Sequence, residues 1–150
     1  MTSNKSAPKI FNQEYLGLNM LYFTINEANQ ILPEIIKKYE MVLAKKNEVL
    51  KLEQQLQTVI NATKFDDYIP IKQKLNRSVT QFYEASENLE KTGVVIKSIE
   101  QGLLDFPSKR FDEDVWLCWR YGEKEIKFWH DKEEGFMGRK PIAVKDESLV

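Results

Sequence analysis

Apolar residues recur at helical spacing through the first half of the chain and at strand spacing near its end. From Ile31 to Val59 the apolar positions are Ile31, Leu32, Ile35, Ile36, Tyr39, Val42, Leu43, Val49, Leu50, Leu52, Leu56 and Val59. Steps of three, four and seven put them on one face of a helix. Lys and Glu occupy the positions between. The tetrad Thr24-Ile25-Asn26-Glu27 is a capping box: the Thr24 hydroxyl can accept from the Glu27 N–H, and the Glu27 carboxylate from the Thr24 N–H. Pro33 falls inside the pattern, so it predicts either a kink or a short first helix feeding a longer one. The stretch "NATKFDDYIP", ending at Pro70, breaks the period. A second stripe of Ile71, Leu75, Val79, Phe82 and Leu89 then predicts a helix from about Pro70 to Thr92, with Gly93 as its C-cap. Two long helices joined by a short loop read as an antiparallel hairpin.

After Gly93 the period changes. "VVIKSI", "GLLDF", "DVWLCWRY" and "EIKFWH" are short, β-branched or aromatic, and bounded by turn residues. They predict a small antiparallel sheet that needs another layer to lie on. The expected class is therefore α+β: a long antiparallel helical hairpin packed with a three- to four-stranded antiparallel β-sheet at the C-terminus. Residues 1–19 read as a polar, disordered tail, residues 20–142 as one α+β domain, and residues 143–150 as a C-terminal tail.

Charge adds mainly exclusions. Lys and Arg total 22 against 23 Asp and Glu, a formal net charge of -1. No global positive excess points to nucleic acid or an anionic membrane. An RNA- or ribosome-associated role is expected only if Lys37, Lys38, Lys45, Lys46, Lys109 and Arg110 share a face. One cysteine excludes an internal disulfide and a Cys-rich zinc site. No apolar run approaches the roughly 18 residues of a membrane span, and no secretory signal is visible. A cytoplasmic setting is expected.

Candidate chemistry concentrates between Val115 and Ile142. This stretch carries all 3 tryptophans, the single cysteine and the single histidine. The register of one hairpin decides which of these side chains meet. A two-residue turn on Gly122-Glu123 opposes Val115 to His130 and puts Cys118 on the other face. A three-residue loop slips the pairing by one and places Cys118 with His130. The first register makes one face mostly apolar and is preferred, so no Cys118–His130 nucleophilic pair is expected, and Cys118 reads as a small hydrophobe.

A metal would have to draw on His130 with Asp105, Glu123 or Asp131. No His-x-x-x-His spacing is present, and no metal site is expected. The leading expectation is a binding or interaction module for an anionic small molecule or a protein partner. Its ligand-binding candidates are Arg120, Trp129, His130, Gly135, Gly138 and Arg139, with Lys109 and Arg110 as additions. Arg beside Trp offers a stacking surface, and two glycines beside Arg139-Lys140 could turn backbone N–H groups onto an anion. A second expectation is a small enzyme in which His130 is general acid or base, Asp105 or Glu123 orients it, and Arg120 and Arg139 hold an anionic substrate. Asp105, set among apolar neighbours, is expected to pair with Arg120 or Arg139. The hairpin stripe is longer than the sheet can cover, which suggests a homodimer through the hairpin. No cofactor is indicated.

Two segments also resemble a known family. "YFTINEANQILP" is similar to its N-terminal helix start, and "GVVIKSIEQGLLDFPSKRFDEDVWLCWRYGEKEIKFWHDKEEGFMGRKPI" to its C-terminal signature. The family is the prokaryotic domain of unknown function 2203, and the resemblance covers about Leu21 to Ile142. Lys97-Ser98-Ile99-Glu100 departs from it, where an acidic pair often precedes Gly-Leu. The resemblance implies a fold and a cytoplasmic prokaryotic setting, and no activity.

Overall fold

The computed structural model describes residues 9–13 and 18–142. Both expected tails lie partly or wholly outside these residues. The backbone forms a two-stranded antiparallel ribbon, β1 (Lys9–Gln13) and β2 (Leu18–Tyr22), of which β1 and the first two residues of β2 fall in the stretch that the sequence reads as tail. Helix α1 (Ile25–Asn61) and helix α2 (Tyr68–Glu90) follow. Five strands complete the chain: β3 (Val95–Ser98), β4 (Leu103–Arg110), β5 (Glu113–Arg120), β6 (Phe128–Asp131) and β7 (Lys140–Pro141). They pair in the order β3-β4-β5-β6-β7, every pair antiparallel. The class is α+β, with a helical hairpin and a five-stranded sheet. The fifth strand is the surprise. Lys140 and Pro141, expected in a loop, pair with Trp129 and Phe128.

The chain divides into two compact units, one of residues 1–36 with 90–150 and one of residues 37–89. In the first, the capping box forms in both directions. The Glu27 N–H donates to Thr24 Oγ1 (3.1 Å) and the Thr24 N–H to Glu27 Oε1 (2.9 Å). Pro33 is carried within α1 without ending it. Ala28, Leu32 and Ile35, spaced four and three apart, are buried. The entry to α1 is pinned to β4: the Phe23 N–H donates to the Pro107 carbonyl, and Ser108 Oγ to the Phe23 carbonyl. The Phe23 ring meets Phe106 edge-on at 5.3 Å. Leu104, Phe106, Leu117 and Trp119 are fully buried, and each such side chain contributes about 1.5–3 kcal/mol through burial.

The second unit is the length of the hairpin. Leu52 and Val59 on α1 and Leu75, Ser78 and Ala85 on α2 are buried. Lys45 Nζ reaches from α1 to Gln81 Oε1 on α2 at 3.1 Å. Helix α1 ends with the Lys64 N–H on the Val59 carbonyl and the Thr63 N–H on the Ile60 carbonyl. Thr63 therefore stands at the left-handed position, φ 54, that glycine usually takes. No helix among the described residues is long and apolar enough to cross a membrane.

Candidate functional site

The decisive feature is the turn after β5. The Glu123 N–H bonds to the Arg120 carbonyl, so Tyr121 and Gly122 are the central residues. Gly122 has φ +102, as the third position of a type II turn requires. The expected turn on Gly122-Glu123 is thus displaced by one residue. Residues 124–127 then leave the sheet, and the Ile126 N–H is captured by Asn29 Oδ1 on α1 at 2.6 Å. The pairing that results is Trp116 with His130 and Cys118 with Phe128. This overturns the preferred register, in which Val115 opposed His130. Paired residues share a face, so Trp116, Cys118, Arg120, Phe128 and His130 lie together, and Leu117, Trp119 and Trp129 lie on the other side. Asp105 pairs with Cys118 across β4 and β5 and joins the first face.

Three chemically distinct groups consequently converge. Ligand atoms of Asp105, Cys118 and His130 all lie within 4.8 Å of one another, and all three residues are buried. His130 Nε2 is 2.9 Å from Asp105 Oδ2, with both side chains at most 3% exposed. His130 Nδ1 is 2.9 Å from the Asp131 carbonyl, which can only accept. Both ring nitrogens therefore face acceptors, which suits the imidazolium. Burial alone would lower the pKa of the ring. Hydrogen bonds to Asp105, to Cys118 and to the Asp131 backbone override it and push the pKa up to about 10.

Other expected partners are assigned differently. Asp105 pairs with His130, not with Arg120 or Arg139, because those arginines are engaged elsewhere. Arg139 makes a bidentate pair with Glu123, at 3.2 and 2.9 Å, and its guanidinium lies over Phe128 and Phe136. Glu123 thus holds Arg139 and does not orient His130. It also accepts from the Arg120 N–H, and its carbonyl accepts from Trp119 Nε1. Arg120 is exposed, its guanidinium over Phe136. Trp129, on the opposite face from Arg120, lies beneath Arg110 and Lys140.

The Gly135–Arg139 segment is a 3-10 turn. The Gly138 N–H bonds to the Gly135 carbonyl and the Arg139 N–H to the Phe136 carbonyl, so these donors are used inside the turn. A Cβ on Gly138 would press on the Glu134 side chain at 3.0 Å, and Glu134 is held by Lys140. Lys109 sits over Tyr22 near Asp114. The structure brings His130 and Asp105 together and adds Cys118; Arg120 and Arg139 meet instead at Phe136 and Glu123, beside the Gly135–Gly138 turn, and Trp129 lies on the other face.

The family model described as "Uncharacterized conserved protein (DUF2203)" matches residues 21–142. The chain belongs to this family. The match spans α1, α2 and the whole five-stranded sheet, so every residue of the buried trio lies inside the DUF2203 region. The family description names no reaction, ligand or partner. Neither a curated protein nor a solved structure matches the chain.

Proposed function

We propose that this DUF2203 protein is a binding module whose bound group is a single divalent transition-metal ion held by Asp105, Cys118 and His130. The carrying observation is the convergence of one carboxylate, one thiol and one imidazole within 4.8 Å in a buried site. In a tetrahedral zinc-type site neighbouring ligand atoms lie roughly 3 to 4 Å apart, so small side-chain rotations close this one. The His130 contact to the Asp131 carbonyl supports the reading, because a metal-bound imidazole usually donates its other N–H to such an acceptor. A thiolate and a carboxylate would neutralise a dication, which eases burial. The mixture of sulfur, nitrogen and oxygen suits zinc, iron or cobalt better than magnesium or calcium.

The general acid–base reading shares the Asp105–His130 bond. It is disfavoured by the same geometry, since both ring nitrogens are engaged and the ring is 2% exposed. A reducing cytoplasmic compartment, which would preserve the thiol, is the proposed setting. A homodimer through the hairpin is also proposed, on the exposed apolar side chains Leu50, Ile60 and Ile69; sedimentation gives one or two chain masses directly.

The metal reading is tested on chelator-treated, reduced protein titrated with Zn²⁺ and Co²⁺. One equivalent should bind, and the cobalt form should show thiolate-to-metal charge transfer. Cys118→Ser should remove that band, and His130→Asn should weaken binding by at least about a hundredfold. Absence of stoichiometric binding, or an unchanged cobalt spectrum in Cys118→Ser, would end the proposal.

A further inference from the structure

The hairpin carries a second cluster of charged and polar groups, apart from the buried trio. A cavity of about 400 Å³ opens between α1 and α2 within residues 37–89, lined by Glu48, Lys51, Lys74, Arg77, Ser78 and Gln81 among others. That volume falls in the range of small-molecule sites. Lys51, Lys74 and Arg77 are exposed cations, and none has an acidic partner among the described residues. The carboxylate on the rim, Glu48, is turned to Lys45 at 3.8 Å. Lys45 also donates to Gln81 Oε1, which leaves the amide N–H groups of Gln81 as donors.

Ser78 points to a ligand independently of this charge. It is 2% exposed and lines the cavity. Elsewhere on α2, Thr80 and Ser86 turn back onto the carbonyls of Asn76 and Phe82 four residues earlier, the usual fate of a helical hydroxyl. The Ser78 hydroxyl makes no protein hydrogen bond among the described residues. The hydroxyl is not a sealed, unsatisfied atom; it faces the cavity, where solvent or a ligand can meet it. At the bottom of a groove rimmed by three unpaired cations, it is placed to donate to an anionic oxygen.

We propose that this groove binds the phosphate groups of a small phosphorylated molecule. Lys51, Lys74 and Arg77 would supply charge-assisted hydrogen bonds, Arg77 in the forked geometry suited to phosphate oxygens. The Ser78 hydroxyl and the Gln81 amide would supply neutral donors.

The test is calorimetric titration of the full chain with inorganic pyrophosphate at physiological salt. One molecule should bind per chain. Lys74→Gln with Arg77→Gln should weaken binding by about tenfold or more. Ser78→Ala should weaken it roughly threefold to tenfold, while leaving the ligand-free protein at least as thermally stable, because no protein hydrogen bond is lost and alanine favours helix. That opposite movement of affinity and stability is not expected of a merely structural serine. Undiminished binding by the double variant, no binding at millimolar pyrophosphate, or binding seen only with single-stranded RNA of increasing length would each overturn the proposal.

Discussion

Asp105→Asn separates charge from hydrogen bonding in the buried trio. His130 Nδ1 faces the Asp131 carbonyl and Nε2 the Asp105 carboxylate, an arrangement that suits an imidazolium, and the titratable side chains facing the ring are Asp105 and Cys118. The pKa is raised from 6.5 to about 10, so the stabilisation is fully present below about pH 6.5 and is lost as pH rises through about 10. Such a rise corresponds to at most about 5 kcal/mol. Between pH 7 and pH 10.5 a loss of about 2–4 kcal/mol is expected. At about 3 °C per kcal/mol for a chain of this size, the melting temperature should fall by about 6–12 °C between pH 7 and pH 10.5.

Asparagine changes this dependence. Its amide can donate to an unprotonated Nε2 while Nδ1–H stays on the Asp131 carbonyl. Every hydrogen bond is kept, His130 is neutral, and no alkaline loss follows from it. The assay is thermal unfolding followed by tryptophan fluorescence, which reports the sheet because Trp116, Trp119 and Trp129 are all there. The two proteins differ only at residue 105, so the readout is the difference between the two curves. Parallel curves from pH 7 to 10.5 would refute the buried imidazolium.

Three further outcomes follow from named geometry. Metal binding must displace the His130 proton, so apparent affinity should rise about tenfold or more per pH unit between pH 6 and 8, with proton release read from calorimetry in buffers of different ionisation enthalpy. The β4–β5 turn holds Phe111 at φ 51 and Asp112 at φ 66. Phe111→Asn with Asp112→Gly supplies residues that prefer this conformation, and should stabilise by about 1–2 kcal/mol in urea unfolding. Thr63→Gly relieves the same strain at the end of α1, and should raise the denaturation midpoint of the hairpin by the equivalent of about 1 kcal/mol.

The fold was legible where local signals agreed. The capping box, both helices and Gly93 (φ 105) appear in place, whereas Leu50 of the first stripe is exposed and the last expected strand segment pairs only from Phe128 onward. The candidate site was legible in location and not in arrangement. A sequence shows that Tyr121-Gly122-Glu123-Lys124 turns, but two placements one residue apart are both compatible with a glycine at Gly122. The choice came from a long-range bond, Asn29 Oδ1 to the Ile126 N–H, which draws residues 124–127 out of the ladder. That one-residue difference moves His130 onto the face of Cys118. The apolar-face criterion failed because both faces of this sheet hold buried residues, so a mostly apolar side did not identify the true register. One signal was present: Asp105 and Cys118 sit between apolar neighbours and His130 follows Phe128 and Trp129, in strands where a buried polar side chain needs a partner.

Stability alone gives a poor account of that trio. Replacing a buried ion pair by apolar side chains of similar volume is often neutral, or stabilising by about 1–4 kcal/mol. Asp105→Leu with His130→Phe makes such a replacement in a sheet already rich in Leu and aromatic side chains. Leu103 and Leu104 flank Asp105 on one side and Phe106 on the other, while Phe128 and Trp129 precede His130. If the pair is held for binding, the double variant should unfold within about 1 kcal/mol of the wild type or above it, and should bind no zinc. If it is architectural, each single change and the double change should all cost about 3–5 kcal/mol. A double variant that folds well without metal affinity would place the trio among the binding groups. One that unfolds outright would assign it to the frame of the sheet.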